Sequence, residues 1–147
     1  MRPVVATLIV LTLGLVSAAQ DSAKANKDMD RLQGTWKRAS GEMDGKKVSA
    51  EELQKTTLTI KGDQYVLKTG DQTRKGHIKL DATKKPKQID IISDAGPNKG
   101  KKLLGIYELE GDTFRYCVAQ PGKDRPTEFS SRPGSGQGLY VNKREKP

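Results

Sequence analysis

The chain has 147 residues, enough for about one domain, and a net charge of +9 from 27 Lys and Arg against 18 Asp and Glu. One cysteine and one histidine exclude an internal disulfide and a two-histidine site. The basic excess suits an anionic partner, such as an acidic polysaccharide, nucleic acid or a membrane surface, and equally suits a soluble, self-repelling surface.

Residues 1–19 have the pattern of a secretory signal. Arg2 supplies the positive start, Val4 to Val16 is apolar apart from Thr7, Thr12 and Gly14, and Ser17-Ala18-Ala19 offers small residues for cleavage near Ala19. The apolar run is 13 residues, short of the ~20 needed to span a bilayer. No cysteine lies near this site, so a lipid-modified start is not expected. The expectation is an exported protein, periplasmic or extracellular, with no transmembrane anchor after cleavage. Residues 20–30 are polar and read as a flexible tether, and residues 31–147 read as the domain.

Thr35 to Ser40 is the first predicted strand, opened by Leu32-Gln33-Gly34-Thr35-Trp36 with the only tryptophan. Asp44-Gly45 is a strong hairpin signal. Ser49 with Glu52 three residues on forms a capping box, so a short helix starts there. The hydrophobic period then becomes two. Leu58 and Ile60, Tyr65 and Leu67, and Gly76, Ile78 and Leu80 alternate with polar neighbours, separated by Gly62-Asp63 and Thr69-Gly70-Asp71. Strands follow at Ile89–Ile92, Leu103–Leu109, Phe114–Val118 and Leu139–Val141, with turn formers between them. Eight strands at regular spacing, one short helix and no βαβ rhythm predict an all-β fold, a roughly eight-stranded antiparallel barrel.

One face of each strand sums to Trp36, Leu58, Ile60, Tyr65, Leu67, Ile78, Leu80, Ile89, Ile91, Leu103, Tyr107, Leu109, Phe114, Tyr116, Val118, Leu139 and Val141. Trp36 would plug one end. An eight-stranded barrel is just wide enough to be filled by side chains or to hold one small ligand, and this set would nearly fill it. Ile92, Leu104 and Ile106 form a second apolar face that needs a cover, for which the helix around Leu53 is the candidate.

Gly34-Thr35-Trp36 at the start of the first of eight strands resembles the lipocalin and calycin pattern. Together with Asp44-Gly45-Lys46-Lys47, Gly105-Ile106-Tyr107-Glu108-Leu109, Gly111-Asp112, Arg125-Pro126-Thr127-Glu128-Phe129 and Gly134-Ser135-Gly136, it resembles an uncharacterised planctomycete family of small exported proteins with a lipocalin-like domain. The resemblance spans Met29 to Pro147. It implies a fold and an exported address, and it carries over no catalytic or binding residue. The cysteine pair with which many secreted lipocalins tie down their C-terminal segment is missing here.

His77 falls opposite Ile78 on its strand and so faces solvent, without a partner for a base or metal site. Cys117 falls opposite Phe114 and Tyr116 and reads as small apolar filler. Glu108, Glu110, Asp112 and Glu128 are the only plausible set of paired acids for hydrolysis; by parity Glu108 faces outward, and Glu110 and Asp112 are turn residues. No phosphate-cradling loop precedes a helix, and no zinc or calcium ligand spacing occurs. The chain is therefore expected to be non-enzymatic, with no cofactor and no metal.

Residues Gln120 to Gly138 form a long irregular segment with three prolines, and such loops tend to carry function or be disordered. It is either a lid with Phe129 tucked inward and Arg125 free for a carboxylate, or a surface loop pinned by Phe129 and Pro126. Lys84, Lys85, Lys87, Lys99, Lys101 and Lys102 would form a basic rim if their loops share one end of the barrel. No aromatic residues interleave with them, so nucleic-acid binding by base stacking is not expected. The reading is a monomeric exported binding domain for a small apolar molecule in the barrel mouth or an anionic envelope polymer on the rim. Its candidate ligand residues are Trp36, Tyr107, Tyr116, Arg125 and Phe129. The alternative is a structural or interaction protein with a filled barrel and no ligand.

Overall fold

A computed structural model describes residues 15–146. Its elements in order are α1 (Leu15–Leu32), β1 (Gly34–Met43), β2 (Lys46–Lys47), α2 (Ala50–Gln54), β3 (Thr56–Lys61), β4 (Gln64–Thr69), β5 (Gln72–Asp81), β6 (Lys87–Ser93), β7 (Lys102–Glu110), β8 (Thr113–Ala119) and β9 (Gln137–Arg144). β1 pairs antiparallel with β2 and β3, each strand from β3 to β8 pairs antiparallel with the next, and β1 also pairs with β9, from Trp36 opposite Arg144 to Met43 opposite Gly138. That pairing closes β1 and β3–β9 into the expected eight-stranded barrel, with two-residue β2 as an extra strand on β1. Closure leaves no open sheet edge among the barrel strands.

The local signals behave as their chemistry requires. Asp44 and Gly45 both adopt positive φ, 52° and 81°, which is the two-residue hairpin geometry that Asp-Gly favours. Ser49 Oγ accepts the Glu52 amide at 3.2 Å and starts α2. β1 runs to Met43, beyond the predicted Ser40, because a bulge between Arg38 and Ser40 absorbs one residue and lets the strand continue along β9.

The signal expected at 1–19 lies outside the described residues except for the backbone of 15–19, which is helical. The tether expected over 20–30 is instead part of α1. Its last turn docks on the barrel, with Asp28 and Leu32 buried and Met29 half-buried. Burial of Leu32 and an ion pair from Lys87 to Asp28 hold it there, which a composition-based reading of a polar segment does not reveal.

The last strand faces the other way from its prediction. β9 pairs Tyr140 with Tyr116 and Asn142 with Phe114, so Tyr140 and Asn142 point inward and Leu139 and Val141 point outward. Asn142 is fully buried, donating to the Phe114 carbonyl at 3.2 Å and accepting from Arg38. The predicted cover also differs. α2 packs on β1 at the end of the barrel reached by Met43. The outer face of β7 and β8 is covered by the segment after β8, where the Cys117 thiol donates to the Ser130 carbonyl at 3.2 Å.

Candidate functional site

One end of the barrel is sealed and the other is open. At the sealed end the Trp36 indole donates to the Leu32 carbonyl at 2.9 Å. Phe114 meets the Trp36 ring edge-on, with centroids 5.8 Å apart. The Arg144 guanidinium covers the other side of the indole, 4.3 Å from its centroid, and donates to the carbonyls of Gln33 and Arg31. Gln33 in turn bridges to Gly62 in the β3–β4 turn. Beside this plug the Tyr107 hydroxyl donates to Asp28 at 2.7 Å, and Lys87 donates to the same oxygen at 2.8 Å. Burial, and then the Asp28 carboxylate, push the Tyr107 phenol well above its usual range.

Above the plug lies a cavity of about 700 Å³ that opens between α2, the β4–β5 turn and the β6–β7 loop. The expectation of a nearly filled interior is therefore not met. Leu139 and Val141 contribute nothing to it. Trp36, Tyr107, Leu80 and Leu109 gather at the sealed end and are absent from the cavity lining. The wall from β3 to β7 is mostly aliphatic, with Leu58, Ile60, Leu67, Ile78, Ile89, Ile91 and Leu103 around the Tyr65 ring and with Thr56, Thr69, Gln72, Arg74 and Ser93 as its polar members. Volume and lining fall within the range of small-molecule sites.

The wall made by β1, β8 and β9 is different. Arg38 lies two residues along β1 from Trp36, so it also points inward. Its Nη2 donates to the Tyr116 hydroxyl at 2.6 Å and its Nε to Asn142 Oδ1 at 3.0 Å. The guanidinium lies 4.2 Å from the centroid of the Tyr140 ring, in cation–π contact. Burial raises the pKa of the Tyr140 phenol, with Tyr116 adding to the shift and Arg38 opposing it. Among the described residues no carboxylate lies within ion-pair distance of Arg38. Arg74, Lys46, Lys47 and a single acid, Glu52, line the cavity near its mouth.

Of the five candidate residues, only Tyr116 lines this cavity. Trp36 and Tyr107 belong to the sealed end. Arg125 is on the outside, donating to the carbonyls of Gly105 at 2.7 Å and Ile89 at 3.1 Å and pairing with Asp90 at 2.7 Å. Phe129 lies outside too, stacked on Arg115 at 4.0 Å. The expected segment from Gln120 to Gly138 is thus a pinned surface loop only as far as Gly136, with Gln137 and Gly138 already in β9, and it does not line the mouth. The six lysines of the expected rim do not share an end. The β5–β6 loop with Lys84 and Lys85 and the β6–β7 loop with Lys99 and Lys101 lie at opposite ends of seven-residue β6, about 20 Å apart.

Other expected positions keep their sides. His77 is on the outer face, 3.0 Å from Asp94. Cys117 is buried and its thiol pKa is raised by that burial. The four acids do not converge: Glu108 pairs with Arg115, Asp112 with Arg144 and Lys146, and Glu128 with Arg132, while Glu110 sits exposed at the β7–β8 turn. Arg38 is absent from the sequence-based candidates, although its two-residue spacing from Trp36 on a strand places it on the inner face. No protein-family model, curated protein or solved structure matches the chain.

Proposed function

We propose that this protein is a non-catalytic, exported binding protein that holds a small, mostly apolar molecule inside the barrel. The observation that carries this reading is the cavity of about 700 Å³, walled by aliphatic side chains and open at one end only. Burying an apolar ligand against such a wall contributes roughly 25 cal/mol per Å² removed from water. The same cavity speaks against the filled-barrel structural role, and the separation of the lysine loops removes the geometric basis for a single basic rim.

The test is a titration with the neutral dye N-phenyl-1-naphthylamine. A saturable rise in dye emission at one equivalent is expected. Leu103→Trp places an indole in the cavity and should abolish that rise while leaving the circular dichroism spectrum unchanged. No saturable uptake, or uptake indifferent to Leu103→Trp, overturns the reading. Export is tested separately, since N-terminal sequencing of protein from its host should begin near Gln20.

A further inference from the structure

We propose that the ligand is an amphipathic carboxylate, and that its head group binds inside the barrel on Arg38 rather than at the mouth. This inference rests on the binding function proposed above and adds the chemistry of the ligand. Three observations carry it. First, Arg38 projects into a cavity with a mostly aliphatic opposite wall, and among the described residues it has no carboxylate partner. A guanidinium remains charged at any physiological pH, and a half-buried charge is costly unless it is paired.

Second, Arg38 is held in place and still has donors to spare. Nε and Nη2 are engaged by Asn142 and Tyr116, which leaves other members of its five N–H groups available. No buried side-chain nitrogen or oxygen among the described residues lacks a partner, so the remaining Arg38 nitrogen is not sealed in protein and faces the cavity it lines. Asn142 is fully buried and Tyr140 stacks on the guanidinium, so the fork is oriented before a ligand arrives. Planar, bidentate recognition is what arginine offers a carboxylate.

Third, the charged side chains lining the cavity are four cations and one acid. An entering anion meets a positive path at Arg74, Lys46 and Lys47, whereas a cationic ligand would have to approach Arg38 without compensation. The aliphatic wall from β3 to β7 lies across from this polar wall. The fitting ligand therefore has a single negative head and an apolar body.

The experiment displaces the naphthylamine dye with dodecanoate, dodecanol and dodecylamine, which share a chain and differ in the head group. Dodecanoate should compete about tenfold to a hundredfold better than dodecanol, the range of a hydrogen bond to a charged group, and dodecylamine should compete worst. Arg38→Met should bring dodecanoate down to the affinity of dodecanol, read as the ratio of the two affinities within the same variant. Lys84→Gln, in the β5–β6 loop at the end of the barrel away from the mouth, should leave the preference intact.

Equal competition by acid and alcohol in the unaltered protein overturns the inference without needing any variant to fold. A preference that survives Arg38→Met, or one lost with Lys84→Gln, also overturns the assignment to Arg38. Should dye, acid and alcohol all fail to bind, the broader binding function fails with it. Arg38→Lys, which keeps the charge and loses the fork, should retain only part of the preference.

Discussion

The guanidinium of Arg144, near the end of the last strand, lies 4.3 Å above the indole of Trp36, near the start of the first. These two residues are also directly paired in the β1–β9 ladder that closes the barrel. The contact therefore joins the two strands most distant in the chain at the point where the interior is sealed. Arg144 extends the seal to α1 through the Gln33 and Arg31 carbonyls.

Arg144→Met should cost about 2 kcal/mol, from a desolvated cation–π contact and lost charge-assisted hydrogen bonds. Urea unfolding followed by Trp36 emission measures it. Amides of residues 28–33 should exchange faster in the variant, because the last turn of α1 loses its tie to β9. Unchanged exchange there would mean that burial of Leu32 alone holds the helix.

Tyr107 gives a pH dependence with a definite sign. Burial raises its phenol, and the Asp28 carboxylate adds to the shift. Above pH ~10 the unfolded chain ionises this group while the folded chain keeps it protonated, so the unfolded state holds fewer protons and stability falls as pH rises. Its contribution is fully present below that pH. Tyr107→Phe should flatten the decline in urea midpoint between pH 9 and 11. It should also lower stability by about 1.5 kcal/mol at neutral pH, because Asp28 loses a donor. Tyr65 and Tyr140, raised mainly by burial, should leave a residual slope.

Arg125 pins the loop after β8 to the outer wall through Gly105, Ile89 and Asp90. Arg125→Met should cost about 2 kcal/mol and speed chymotryptic cleavage after Phe129. Dye affinity should stay within about twofold, since the loop does not form the mouth. A tenfold fall in affinity would restore the lid.

Gly105 is required by close packing. A Cβ there would stand 2.6 Å from Val118 Cγ1 and 2.7 Å from the Cys117 carbonyl oxygen. The carbonyl belongs to the ladder and cannot rotate away. Gly105→Ala should therefore lower stability by about 2 kcal/mol, typical of overpacking, and calorimetry on the variant should show a lower Tm.

Where a feature depended on neighbours in sequence, it was legible. The period-two alternation of Leu58 and Ile60 or Ile89 and Ile91 located strands and their inner faces, and Asp44-Gly45 and Ser49–Glu52 located a turn and a cap. β9 was misread because Leu139, Tyr140 and Val141 are all apolar or aromatic, so alternation assigned neither face. The candidate site was legible only at Tyr116. Arg125 and Phe129 were chosen for their chemistry on a loop whose docking surface no local pattern encodes.

By itself, then, the sequence determined an all-β chain of eight main strands, the positions of its turns and the tryptophan at one end. Those follow from backbone preferences and from a hydrophobic period that acts over a few residues. Tertiary structure decided that Tyr140 and Asn142 face inward, that a cavity remains above the plug, and that Arg38 stands in it beside Tyr116. Each of these depends on the register with which β9 returns to β1, and a pairing between strands at opposite ends of the chain leaves no trace in either strand alone.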